Sequence, residues 1–143
     1  MSAAKIADLL GLLPGCCTML ADAIRAYCQA LLVGVPTWVR LPRDQWPASW
    51  SKMRDPVVPL RLALYGHPDA GTCWEKHCDA KLGEKGFSPV HGWPGCYSHS
   101  SLAVFLTVYV DDFKMSGREA DVRKVWKLIK EVIQLEEPTL TGR

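Results

Sequence analysis

The sequence lacks the surplus of positive charge that free-standing nucleic-acid-binding proteins usually carry. Its 143 residues include 17 Lys and Arg against 15 Asp and Glu, a formal net charge of +2. We therefore expect any contact with nucleic acid to depend on a local basic patch or on other domains. The sequence also has no apolar run of about twenty residues, the length that spans a bilayer. This predicts a soluble protein of the cytoplasm or nucleus, with no membrane partner.

The sequence likewise lacks the cysteine spacing of a disulfide framework or of a regular zinc motif. Its six cysteines include no Cys-x-x-Cys pair, which favours reduced intracellular thiols. An irregular zinc site is the alternative, because Cys73 and His77 are four residues apart and Cys96 and His99 are three apart. These four side chains could form a tetrahedral set. A small zinc-binding nucleic-acid module therefore stays open as one hypothesis.

Apolar spacing in the first half predicts short elements followed by a proline-rich loop. The segment 16–23 is apolar and predicts a strand that ends at Asp22. Apolar residues at helical spacing predict a helix over 24–32. Residues 37–41 alternate and predict a strand, whereas the four prolines within 42–59 predict a loop.

The second half contains the most regular patterns. They predict a strand over 59–66, a helix over 70–86 and a buried strand over 101–110, where Val, Leu, Phe and Tyr form the longest apolar run. Asp111 and Asp112 interrupt this run before a second short strand, which predicts a hairpin.

The end of the chain predicts one further helix, over 118–134, in which apolar residues repeat at helical spacing. Ser116 and Glu119 have the spacing of a capping box at its start, and Pro138 is expected to end the ordered part. Gly and Pro make 87–100 a predicted loop. The order of elements predicts an α+β fold, with an antiparallel sheet covered by helices on one face.

The adjacent acids Asp111 and Asp112 are the strongest local sign of chemistry. Two carboxylates at the end of an apolar strand repel each other unless cations or hydrogen bonds compensate. An ordinary polar hairpin turn is one explanation, since Asp is a favoured turn residue. A magnesium site is the other, because Mg²⁺ prefers carboxylate oxygens and keeps water and substrate phosphates as its remaining ligands.

Four segments carry a resemblance to a known family. They are VYVDDFKMSG (108–117), LALYGHPDAGTCWEKH (62–77), EKGF (84–87) and PGCY (94–97). In this order they resemble the reverse transcriptases of copia-type LTR retrotransposons, whose Tyr-x-Asp-Asp hairpin corresponds to the first segment. The resemblance implies a polymerase palm, with incomplete fingers and no thumb in this chain.

The resemblance also implies a third carboxylate. Asp22, Ala26 and Tyr27 fit the first palm motif of the family, whereas without it Asp22 is only an acid near a predicted helix start. Asp22, Asp111 and Asp112 would then bind Mg²⁺ or Mn²⁺ for two-metal phosphoryl transfer.

Further roles follow from the same resemblance. Residues beside the incoming nucleotide would be Ala23, Arg25, Ala26 and Tyr27, and Tyr27 would exclude a 2′-hydroxyl. Tyr109 and Val110 would contact the primer end. Asp69 stands where the family usually has a glutamine near nucleotide and template, a departure that affects nucleotide selection and template contact.

The resemblance covers 16–135, between a poorly defined segment 1–15 and a C-terminal tail 136–143. Because only 21 residues precede Asp22 and the chain stops at 143, we expect a palm fragment with little or no activity alone. The implied partners are an RNA or DNA template-primer, deoxynucleoside triphosphates and the remaining polyprotein domains. A non-catalytic palm remnant that self-associates through exposed tryptophans is the alternative.

Overall fold

The computed structural model describes residues 3–141. Its helices are α1 (Ala3–Gly11), α2 (Ala70–Glu84) and α3 (Glu119–Lys130). Its strands are β1 (Cys16–Asp22), β2 (Trp38–Val39), β3 (Val58–Pro59), β4 (Phe87–Pro89), β5 (Cys96–His99), β6 (Val104–Tyr109), β7 (Asp112–Arg118) and β8 (Thr139–Leu140). None of the helices within 3–141 is both long and apolar enough to cross a membrane.

One antiparallel sheet organises the fold, and its strand order is β4-β5-β6-β7-β1-β8. The apolar strand β6 and its neighbour β7 form the predicted hairpin, and β1 pairs with β7 along its whole length. A separate ribbon of β2 and β3 lies at the base of the proline-rich loop. The α+β class with an antiparallel sheet, predicted from the pattern of elements, is confirmed.

The main core lies between one face of this sheet and the helices α2 and α3. Alternation along β7 directs Phe113 and Met115 to this face, and both are fully buried. The apolar stripe of α3, which includes Val122, Trp126 and Ile129, packs in the same core. Full burial of each such side chain contributes about 1.5–3 kcal/mol.

Helix α1 lies on the opposite face of the sheet. The hydroxyls of Thr18 and Ser116, which alternation directs away from Met115, are hydrogen bonded at 2.9 Å, and Thr18 donates to the Ala7 carbonyl of α1 at 3.3 Å. The prediction that the helices cover one face therefore holds for α2 and α3 only. The reason is that hydroxyls buried on the second face need partners, which α1 supplies.

The predicted helix over 24–32 is wrong, because only Ala26–Gln29 form a short 3₁₀ helix. Extended pairing competes with a longer helix there. The Leu32 amide donates to the Arg61 carbonyl at 2.9 Å, and the Ala63 amide donates to the Ala30 carbonyl at 2.9 Å. Of the predicted strand over 59–66, the structure forms only the end of β3, which pairs with β2, and one isolated bridge between Leu31 and Leu62.

Other differences concern segments whose structure depends on distant partners. The predicted loop 87–100 contains β4 and β5, the segment 1–15 contains α1, and the tail 136–143 contains β8 beyond Pro138. Each of these elements is held by the sheet rather than by its own apolar pattern.

The predicted capping box at α3 does not form. The Ser116 hydroxyl is hydrogen bonded to the Thr18 hydroxyl instead. The Glu119 carboxylate accepts hydrogen bonds from Arg123 at 2.7 and 2.9 Å. Arg118 is the N-cap residue of α3, with no side-chain capping bond. The buried hydroxyl pair has therefore displaced the local motif that the spacing predicted.

Candidate functional site: a carboxylate cluster at the end of β1 and β7

Three aspartates meet at one end of the sheet. Asp22, the last residue of β1, is the direct cross-strand partner of Asp112, the first residue of β7. Directly opposed residues in antiparallel strands have Cβ atoms about 4.5–5.5 Å apart. The Ala23 amide donates to the Asp111 carbonyl at 2.8 Å, so the residue after β1 is tied to the third acid. We call Asp22, Asp111 and Asp112 the carboxylate cluster.

The carboxylate cluster shows the electrostatic strain expected of crowded acids. The pKa of the Asp112 carboxyl is raised above its usual value, first by desolvation and then by the negative charges of Asp111 and Asp22. A hydrogen bond with the Asp22 carboxyl raises this pKa further. A proton between two carboxyls relieves repulsion that a divalent cation would relieve more completely.

The hairpin turn that presents the cluster has an unusual backbone. Val110 adopts the left-handed conformation, with φ of 57°, which costs a β-branched residue about 1–2 kcal/mol. The indole N–H of Trp74 in α2 donates to the Val110 carbonyl at 2.6 Å. The turn is thus held from α2 as well as from its own strands.

A second left-handed residue lies on the β1 side of the cluster. Arg25, with φ of 51°, precedes the 3₁₀ helix and leaves its side chain exposed. The Gln29 amide group fixes this bend, because it donates to the Ile24 carbonyl at 2.7 Å and to the Gln134 carbonyl at 3.0 Å. Hydrogen bonds to the Ile24 and Arg25 carbonyls therefore fix the backbone that carries the exposed Arg25 side chain.

The remaining nucleotide-side residues differ in accessibility. Ala23 and Ala26 are buried, so their side chains belong to the core. Tyr27 is partly exposed and lines a cleft of about 310 Å³ with Trp74, Tyr109 and Val110. Tyr109 and Val110, the two residues predicted to contact the primer end, thus line the same cleft as Tyr27.

Tyr65 belongs to this site although the sequence predictions gave it no role. Its ring lies 4.4 Å from that of Tyr27, centroid to centroid, at an interplanar angle of 38°. Burial raises the pKa of the Tyr65 phenol, and the negative charge of Asp111 raises it further. The signal that could have identified it is its place in the Leu-Tyr-Gly part of the segment 62–77.

Asp69 lies elsewhere. It lines a different cleft of about 500 Å³, whose other residues include Val33, Val35, Lys76 and His77. Its backbone amide donates to the His67 ring at 3.1 Å. The structure does not bring Asp69 together with the carboxylate cluster.

The four candidate zinc ligands have other contacts. The Cys73 thiol donates to the Val33 carbonyl at 3.8 Å, and the His77 ring stacks on Trp74. His99 accepts the amides of Ser101 and Leu102 at 3.2 Å, and Cys96 is buried in β5.

No three His, Cys, Asp or Glu side chains between residues 3 and 141 are arranged as a metal-binding group. The donor chemistry of the carboxylate cluster nevertheless fits Mg²⁺ or Mn²⁺, which prefer carboxylate oxygens and need few protein ligands. Cross-strand pairing sets Asp22 opposite Asp112, so a cation at this end of the sheet could be shared by both carboxylates.

Compared with known proteins, the chain matches no protein-family model, no curated protein and no solved structure.

Proposed function

We propose that this chain is the palm region of an RNA-directed DNA polymerase similar to those of copia-type retrotransposons. The observation that carries the proposal is the cross-strand pair of Asp22 and Asp112 beside Asp111. An ordinary polar turn would need Asp111 and Asp112 only. It gives no reason for a third acid to end the neighbouring strand and face them.

In the proposed activity, Asp22, Asp111 and Asp112 would hold Mg²⁺ or Mn²⁺, and Tyr109 and Val110, which directly precede Asp111, line the neighbouring cleft with Tyr27. Bound divalent cations would supply activation of the primer hydroxyl and neutralisation of the nucleotide's phosphate charge. These carboxylates lie at the end of β1 and β7, next to the hairpin turn, and would hold the cations there. Tyr109 is 78% exposed and offers its ring to the primer end.

Arg25 provides the positive charge that a triphosphate requires. Within residues 3–141 it forms no ion pair, so its guanidinium is available for bidentate contact with phosphate oxygens. Tyr27, backed by the ring of Tyr65, supplies an aromatic surface for the sugar. Discrimination against a 2′-hydroxyl is expected from the fixed position of this ring.

Metal binding is the most direct test. We expect wild-type protein to bind Mn²⁺, measured from the loss of the free-ion electron paramagnetic resonance signal, and Asp111→Asn to bind at least about tenfold more weakly. Asp44→Asn is the matched control, since it makes the same chemical change at an exposed residue of a short 3₁₀ helix (Arg43–Gln45). Equal Mn²⁺ affinity in wild type and Asp111→Asn would reject the site.

Primer extension on a homopolymer template with Mg²⁺ tests the chemistry itself. Extension by the wild type that survives Asp111→Asn would contradict the catalytic role. If Mn²⁺ binds but no primer is extended, the carboxylate cluster is a metal site that needs further polymerase domains.

A non-catalytic interaction module is the second candidate, favoured by the exposed apolar side chains of 31–38. Val33 and Val35 are 73% and 78% exposed, and Trp38 lies on the short ribbon that follows. Size-exclusion chromatography would show concentration-dependent self-association that Val33→Lys/Val35→Lys abolishes and that does not respond to Mg²⁺. A monomer at all concentrations would exclude this candidate.

A further inference from the structure

The turn between β6 and β7 is strained at the residue that directly precedes the carboxylate cluster. Val110 has a positive φ, a conformation that β-branched residues rarely adopt. Such a conformation persists only where the surrounding structure holds it in place. The contact that holds Val110 therefore also sets the position of the two acids that follow.

That contact comes from α2. The indole N–H of Trp74 donates to the Val110 carbonyl at 2.6 Å, and Trp74 is only 3% exposed. The accepting carbonyl belongs to the peptide group that joins Val110 to Asp111. Because a peptide group is planar, a hydrogen bond to its oxygen also orients the amide of Asp111 and the start of β7.

The same peptide region is tied to β1 from the other side. The Asp111 carbonyl accepts the Ala23 amide at 2.8 Å, and Ala23 directly follows Asp22. A continuous chain of two hydrogen bonds thus runs from Trp74 through the turn to the residue after Asp22. Loosening the first bond is expected to loosen the second.

Trp126 shows that burial of an indole ring does not by itself require such a bond. It is 2% exposed in α3, and its N–H has no hydrogen-bond partner among the described residues. Trp74 and Trp126 are thus both buried in helices, but only the indole N–H of Trp74 donates a hydrogen bond within the described residues.

We propose that Trp74 is a positioning residue, whose indole N–H holds the Val110–Asp111 peptide and thereby keeps Asp111 in place beside Asp112, the partner of Asp22. Its consequence for metal binding rests on the proposed function, whereas its effect on the turn does not. The two effects are measured separately.

The experiment compares Trp74→Phe with Trp126→Phe, each of which keeps an aromatic ring and removes an indole N–H. Hydrogen exchange of the Ala23 amide, followed by nuclear magnetic resonance, reports the turn. Mn²⁺ affinity reports the carboxylate cluster. In Trp74→Phe we expect Ala23 exchange about threefold to tenfold faster and Mn²⁺ affinity lower by a similar factor, the usual effect of one hydrogen bond.

Trp126→Phe is the control for ring volume and global stability, and it should leave both quantities close to wild type once unfolding is corrected for. If the two variants change Ala23 exchange equally, the positioning role is rejected. If wild type binds no Mn²⁺, the proposed function fails, and Ala23 exchange still decides the role of Trp74.

The strain at Val110 provides a further check. Glycine adopts a positive φ at little cost, so Val110→Gly should reduce the effect of Trp74→Phe on Ala23 exchange. An undiminished effect would overturn the proposal. If Trp74→Phe does not fold, the wild-type indole proton decides, because a Trp74 indole N–H that exchanges much faster than the Ala23 amide contradicts a shared hold on the turn.

Discussion

The ring of Tyr65 packs against that of Tyr27, with centroids 4.4 Å apart, on the side of the fold where Asp111 is close enough to raise the pKa of the Tyr65 phenol. The pair joins the 3₁₀ helix after β1 to the segment before α2. It is held by the Ala63 amide, which donates to the Ala30 carbonyl at 2.9 Å. Tyr65 thus supports the residue proposed to discriminate between sugars.

Replacing Tyr65 is expected to weaken this discrimination. Tyr65→Leu removes an aromatic contact that contributes about 0.5–1.5 kcal/mol, so the preference for deoxynucleotides over ribonucleotides should fall several-fold. Tyr65→Phe keeps the ring pair and should retain the preference. Competition between the two nucleotides during primer extension measures the ratio, and equal ratios in the two variants would contradict the role.

The Tyr65 phenol also provides a pH test that needs no activity. Its pKa is raised by burial and then by the charge of Asp111, so Asp111→Asn should lower that pKa towards its ordinary value. Ultraviolet titration of wild type and Asp111→Asn, each compared with its own Tyr65→Phe derivative, isolates the phenol. No change on removing the Asp111 charge would show that the two groups are not coupled.

Asp112 is expected to destabilise the fold at neutral pH. Its carboxyl has a higher pKa in the folded chain than an ordinary Asp, mainly through desolvation and the charges of Asp111 and Asp22. The stabilising contribution of its bound proton is therefore complete below about pH 4 and is lost as the pH rises through the raised pKa. Asp112→Asn should consequently have a larger free energy of unfolding than wild type near neutral pH when chelator removes divalent cations.

Urea unfolding between acidic and neutral pH checks this expectation, with Asp44→Asn as the control for loss of one negative charge. The advantage of Asp112→Asn should disappear in acid. It should also shrink when Mg²⁺ is added, because the cation would stabilise only the wild-type cluster. A variant less stable than wild type at neutral pH would show that repulsion at Asp112 is not the dominant effect.

Arg25 offers a case in which charge and backbone strain can be separated. Asn tolerates the left-handed conformation found at this position, so Arg25→Asn should fold with unchanged stability. Without the guanidinium, affinity for a fluorescent deoxynucleoside triphosphate should fall about tenfold or more. Arg54→Asn, at an exposed loop cation, is the control, and an equal loss of affinity there would indicate a general charge effect.

Close packing of β6 on β7 predicts a strong effect at Gly117. This residue has φ of 152°, and a Cβ there would collide with the backbone at Ala103 and Val104. Gly117→Ala should therefore cost about 1–3 kcal/mol or more. Gly83→Ala in α2 meets no atom within 4 Å and should stabilise the helix by about 1 kcal/mol. Thermal unfolding distinguishes the two, and similar midpoints would contradict the packing.

Local patterns predicted the elements that carry their own apolar signal. The strand β1, the long apolar strand β6 and the helices α2 and α3 lie within the predicted segments, and β7 forms the predicted hairpin with β6 but begins at Asp112 and runs to Arg118. Each buries a continuous stripe or run of side chains, and this burial leaves a period in the sequence. The acidic pair at 111 and 112 could be identified from the sequence because two charged residues interrupt a long apolar run.

Long-range contacts decided the rest. Strands as short as β4, β5 and β8 have too few residues to show a period, and α1 is positioned on its face of the sheet by the Thr18–Ser116 pair. Neither the contact of Trp74 with Val110 nor that of Tyr65 with Tyr27 has a sequence signature, because each joins residues from separate elements. The sequence alone therefore determined which segments are apolar and where the acids lie, whereas the tertiary structure decided that Asp22 faces Asp112, since strand order and register arise only when the whole sheet forms.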